Sequence, residues 1–97
     1  MDIHFVVCSA QGPRLLAPLA RACARRGLAF AAFFTHEAVT ALHDEGLLAT
    51  LAAATRATVC KESWLHFVGS ELPPPLQFGS QTQNSVLCKQ SGRIVSL

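Results

Sequence analysis

The sequence predicts an α/β protein, a three-layer helix–sheet–helix sandwich built on a mostly parallel sheet of four or five strands. Short runs of β-branched and aromatic residues alternate with stretches of helical spacing along the whole chain, the pattern left by successive right-handed βαβ units. Leu28–Phe34 (LAFAAFF) is apolar at every position, as in parallel strands covered on both faces. The 97 residues are 51% hydrophobic and 14% charged, enough for one core but not for two. Residues 1–97 are therefore read as a single domain.

Ile3–Cys8 (IHFVVC) reads as the first strand, bounded by the turn cluster Ser9-Ala10-Gln11-Gly12-Pro13. A helix follows over Arg14–Arg26. Leu15, Leu19 and Cys23 recur every four residues on one face, and Arg14, Arg21 and Arg25 share another. Pro18 is tolerable at the end of the first turn, and Gly27 stops the helix. After the strand Leu28–Phe34, Thr35 can cap a helix running to His43, with Glu37 in its first turn. Asp44-Glu45-Gly46 breaks that helix, and Leu47–Ala54 is a second helical piece. Thr55–Cys60 contains the third strand, and Lys61–Val68 is a short amphipathic helix ended by Gly69. Ser70–Gly79, centred on Pro73-Pro74-Pro75, reads as an extended loop. A loop of that length in so small a domain points to a functional role, such as shielding a site or docking a partner. Ser80 and Gln83 form a capping box for a last helix to Lys89, and Ser91-Gly92 turns the chain into the closing strand Arg93–Leu97.

Charge and hydropathy exclude several function classes. A net charge of +2 without a clustered basic face argues against nucleic-acid binding. The longest apolar run, Leu28–Phe34, is far short of the about 20 residues a membrane helix needs. Met1-Asp2-Ile3-His4 lacks the basic start of a signal peptide, so the expected compartment is the cytoplasm. There Cys8, Cys23, Cys60 and Cys88 are read as thiols. Their spacing contains no CxxC pair, so no metal is expected. A mean hydropathy of +0.34 is high for a small monomer, and a homo-oligomer is the expected outlet.

In a parallel α/β sheet the reactive site lies outside the carboxyl ends of the strands, and Cys8 and Cys60 both fall there. Cys60 directly precedes a helix, whose free N–H groups favour an anion, and Lys61 adds a charge beside it. Trp64 and His66 on the same helix, and His36 at the start of an earlier one, are the candidate pocket residues. Cys8 and Arg14 form a C-x5-R pattern, the layout of low-molecular-weight tyrosine phosphatases and arsenate reductases, in which loop amides and the Arg grip an oxyanion. Leu15 stands where those enzymes usually carry Ser or Thr, and no Asp-Pro follows to supply the acid. Cys23, on an apolar helix face, reads as structural, and Cys88 as structural or partly exposed. His36 and His43 share a helix face, but two histidines alone do not make a metal site.

With these elements in place the chain resembles the DsrE/DsrF/TusD family of small sulfur-relay proteins over nearly its whole length. The resemblance rests on Arg14–Gly27 as first helix and on the junction Ala32-Phe33-Phe34-Thr35-His36-Glu37-Ala38-Val39. It rests also on Thr58-Val59-Cys60, and on Gly79-Ser80 with Arg93-Ile94-Val95-Ser96. It implies a DsrE-like, flavodoxin-like parallel α/β fold, homo- or hetero-oligomers, and a strand-end cysteine carrying a persulfide, the place Cys60 occupies. On that reading Cys60 accepts sulfur from a donor and passes it to an acceptor protein or small thiol, with no cofactor required. Ala38 stands where the family often has Gly, and Lys61-Glu62-Ser63-Trp64 does not reproduce the small residues common after the cysteine of sulfur-carrying members. Members without the cysteine act as structural subunits, which is the alternative reading.

Overall fold

A computed structural model describes all 97 residues. The chain runs β1 (Ile3–Val7), α1 (Gly12–Arg25), β2 (Phe30–Phe34), a 3-10 helix (His36–Ala41), α2 (Glu45–Leu51) and β3 (Arg56–Cys60). It continues through α3 (Lys61–Phe67), β4 (Gln77–Gly79), α4 (Gln81–Gln90) and β5 (Arg93–Ser96). The five strands form one sheet in the order β4-β3-β2-β1-β5, and every neighbouring pair is parallel. The all-apolar run lies at the sheet centre, with β2 buried at every position. No helix is long and apolar enough to cross a membrane.

The strand order decides where the helices go. β1 to β4 step across the sheet in one direction, so right-handed crossovers place α1, the 3-10 helix, α2 and α3 on one face. These elements pack on one another and close the main core, where Phe5, Val7, Phe30, Phe34, Val59 and Trp64 meet Leu16, Leu42 and Leu51. From β4 the chain returns to the opposite edge to make β5, which sends α4 alone to the other face. His4, on that face, is fully buried, and its Nε2 donates to Asn84 Oδ1 of α4 at 2.7 Å. The segments leaving β3 and β4 therefore diverge to opposite faces, and the sheet opens between their carboxyl ends. Such a switch point is where open α/β sheets place ligand sites.

Several sequence expectations are corrected. The buried stripe of α1 is Gly12, Pro13, Leu16, Ala20 and Cys23, while Leu15 and Leu19 face outward, 53% and 42% exposed. The helix starts at Gly12 rather than Arg14, with Pro13 in its first turn. The segment after Thr35 is a 3-10 helix that ends at Ala41. α2 begins earlier than expected because Asp44 caps it, its Oδ1 accepting from Leu47 N at 3.0 Å. The loop Ser70–Gly79 hides a short edge strand, β4. The proline segment precedes that strand, so it lies at the amino ends of the strands, and Pro75 borders Thr55 and Ala57 there. It does not line the cleft that Cys60 borders, so it does not shield the thiol.

Candidate functional site

Cys60 is the last residue of β3 and the residue before α3. It pairs in register with Gly79, the last residue of β4. Both border a cleft of about 540 Å³ at the switch point, which His36, Lys61, Ser63 and Gln81 also line. Gly79 has a steric role here: a Cβ on it would come within 2.9 Å of Thr58 Cβ. The thiol is recessed rather than uncovered, with Cys60 only 8% exposed, yet its neighbours on the cleft side are polar.

Two hydroxyls sit beside it. Thr35 follows β2, one strand over, and Ser63 lies one helical turn beyond Cys60. Thr35 Oγ1 and Ser63 Oγ are 3.3 Å apart. Ser63 Oγ accepts from the His36 backbone N–H at 2.9 Å, and Thr35 Oγ1 accepts from Gln81 Nε2 at 3.3 Å. Thr35 stands at the N-cap of the 3-10 helix, but its side chain caps nothing, because the hydroxyl is turned into this cluster. His36 holds a left-handed φ of 56°, a conformation uncommon outside glycine, where the chain passes from β2 into the 3-10 helix.

These groups set the thiol's acidity. Burial is the largest single influence and opposes ionisation. It is outweighed by the Ser63 hydroxyl and N–H, the Thr35 hydroxyl and the Glu62 N–H, which together hold Cys60 below the ordinary thiol value of 9.0. The Cys60 side chain does not itself cap α3. Lys61 is not among the causes. Its ammonium leans over the Phe78 ring, 5.9 Å from the centroid, and its contribution is to the cleft wall. Cys23 moves the opposite way: burial first, and the Asp2 charge second, raise its thiol.

Of the candidates, Cys60, Lys61 and His36 reach the cleft and Trp64 and His66 do not. Trp64 is fully buried, its Nε1 donating to Ser70 O at 2.7 Å and its ring 5.5 Å from that of His43. His66 is exposed and meets the Phe67 ring edge-on at 4.7 Å. Thr35, Ser63 and Gln81 were not signalled as site residues by sequence reasoning. The usable clue was a serine three residues after a cysteine that opens a helix, the spacing of a capping pair. No cluster of three or more His, Cys, Asp or Glu side chains could hold a metal ion.

The C-x5-R loop does not form an oxyanion cradle. Cys8 N and Ser9 N both donate to Leu97 O, and Gly12 N and Arg14 N to Ser9 O and Gln11 O. The N–H groups of Ser9, Gly12 and Arg14 are thus bound within the fold instead of converging on the Cys8 sulfur. A cleft of about 580 Å³ between α1 and α2 is lined by Arg14, Arg21 and His43, but Cys8 does not border it.

No family model and no curated protein matches the sequence. Among solved structures the chain is similar to the ychN protein from E. coli, with a TM-score of 0.68 and 17% identity over 100% of both chains. That likeness shows the fold, a flavodoxin-like parallel α/β sheet flanked by helices.

Proposed function

We propose that the protein is a sulfur-relay protein that accepts sulfur on Cys60 and passes it on as a persulfide. One observation carries the reading: a thiol of lowered pKa opens into a cleft at the switch point of the sheet, surrounded by donors. Thiolate is the nucleophilic form. The Cys60 thiolate attacks the terminal sulfur of a donor persulfide and becomes Cys60–S–SH, and the donor leaves as its thiolate. An acceptor thiolate then takes the outer sulfur and Cys60 returns to thiolate. No metal or organic cofactor enters either step. The sequence resemblance to the sulfur-relay family and the shared fold support the same reading.

Donor and acceptor are proteins or small thiols, and the protein works in the cytoplasm as a homo-oligomer. Leu65, Phe67 and Phe78 are exposed apolar side chains on α3 and β4, the two elements that border the cleft, and they offer a surface for such contacts. The test is incubation with a sulfur donor followed by intact mass measurement. Wild type gains the mass of one sulfur and Cys60→Ser does not. An undiminished gain in the variant would assign the sulfur to another thiol and reject the reading.

A further inference from the structure

The hydroxyl pair beside Cys60 has a fixed proton inventory. Ser63 Oγ accepts from His36 N, a backbone group that can only donate. Thr35 Oγ1 accepts from the Gln81 amide N–H. Each hydroxyl owns one proton. One of the two protons bridges the oxygens across their 3.3 Å separation, and no carbonyl or carboxylate accepts the other. A chain with N–H donors at both ends keeps its spare proton free to turn into the cleft, which Thr35 and Ser63 share with Cys60.

We propose that Thr35, Ser63 and Gln81 form a hydroxyl chain that donates to Cys60 Sγ and thereby makes Sγ, not the outer sulfur of a persulfide, the leaving group. This rests on the relay reading of Cys60. A persulfide offers an acceptor thiolate two targets. Attack on the outer sulfur breaks the S–S bond with Sγ leaving: RS⁻ + Cys60–S–SH gives RS–SH + Cys60–S⁻. Attack on Sγ expels hydrosulfide: RS⁻ + Cys60–S–SH gives Cys60–S–SR + HS⁻. Both balance without any oxidant or reductant. The sulfur whose anion is better stabilised leaves faster, so donors gathered on Sγ favour transfer over loss of sulfide. Gln81 touches no sulfur. It is a positioning residue, and it links α4 on the second face of the sheet to a nucleophile carried by β3.

The test uses Gln81→Glu, an exposed change that replaces the donor with an acceptor and draws the spare proton away from the sulfur. Thr35→Val removes one hydroxyl at nearly constant shape, and Thr35→Ser restores it. The first measurement is the pH profile of Cys60 alkylation by iodoacetamide, resolved by peptide mapping, which needs no persulfide. Gln81→Glu and Thr35→Val should move the midpoint upward and Thr35→Ser should return it. The second loads the protein with inorganic polysulfide, removes the excess and adds glutathione. Wild type should yield mainly glutathione persulfide. Gln81→Glu and Thr35→Val should shift the product ratio toward mixed disulfide and hydrosulfide by about tenfold, the worth of one hydrogen bond to a charged group. An unmoved midpoint in both variants overturns the hydroxyl chain. A moved midpoint with an unchanged product ratio overturns its role in choosing the leaving group. Failure of wild type to take up sulfur at all rejects the relay reading, and with it the leaving-group role, while the alkylation profile still decides the chain.

Discussion

Two cysteines in one small chain show how local surroundings decide thiol chemistry. Cys23 lies on the buried face of α1, and burial raises its pKa. Cys60 is nearly as buried, yet hydroxyl and amide donors more than offset the loss of water. The linkage signs are opposite. A thiol lowered in the folded state contributes stability that is complete above its unfolded value of 9.0 and is lost as pH falls through the folded value. Denaturant unfolding of Cys60→Ala against wild type should therefore show a stability gap that widens with pH up to about 9 and is flat beyond it. A gap that narrows over that window would mean that the sulfur prefers its proton. Cys23 contributes the reverse: its stabilisation is complete below 9.0 and lost as pH rises past it.

At the scale of elements, α4 is the single cover of one sheet face, and its composition is polar, with Leu87 its one buried residue. Its hold depends on discrete contacts: the Ser80–Gln83 capping box, the His4–Asn84 bond and the Gln81–Thr35 bond. Ser80→Ala should cost about 1 kcal/mol of unfolding free energy, as N-cap losses do, measurable by denaturant titration. No loss would mean the cap is redundant. The helices and long strands were legible because their periods and stops are strong: the apolar Phe30–Phe34 run, Gly27 after α1 and the capping box of α4. β4 was not, because three residues with exposed Gln77 and Phe78 carry no period and follow a proline run. The position of Cys60 could be read from the sequence, but not the residues that act on it. Thr35 has the profile of an ordinary N-cap, and only the folded sheet reveals that its hydroxyl faces a cysteine one strand away. Trp64 was misassigned by helical phase, since the cleft lies along the first turn of α3 and the next position already points into the core.

For the whole molecule, the strand order places the chemistry. Four strands advance and one returns, so the sheet has a single switch point, and the residues bordering it come from the ends of β3 and β4, from Thr35 just after β2, and from the helices that follow these strands. The same order separates the two strand-end cysteines. Cys8 follows Val7 and Cys60 follows Val59, and Phe34 of β2 stands between those two in register. Two strand spacings are roughly 9.6 Å, beyond the roughly 7 Å limit for a disulfide between Cα atoms. Peptide mapping of the oxidised monomer should find no Cys8–Cys60 link. Finding one would contradict the sheet order.

The most direct measurement is the rate of Cys60 alkylation in the native protein as a function of pH. The account predicts that Cys60 reacts in the folded state with a midpoint below 9.0, well ahead of Cys23. A Cys60 that reacts only after unfolding, or with a midpoint at or above that value, would contradict it.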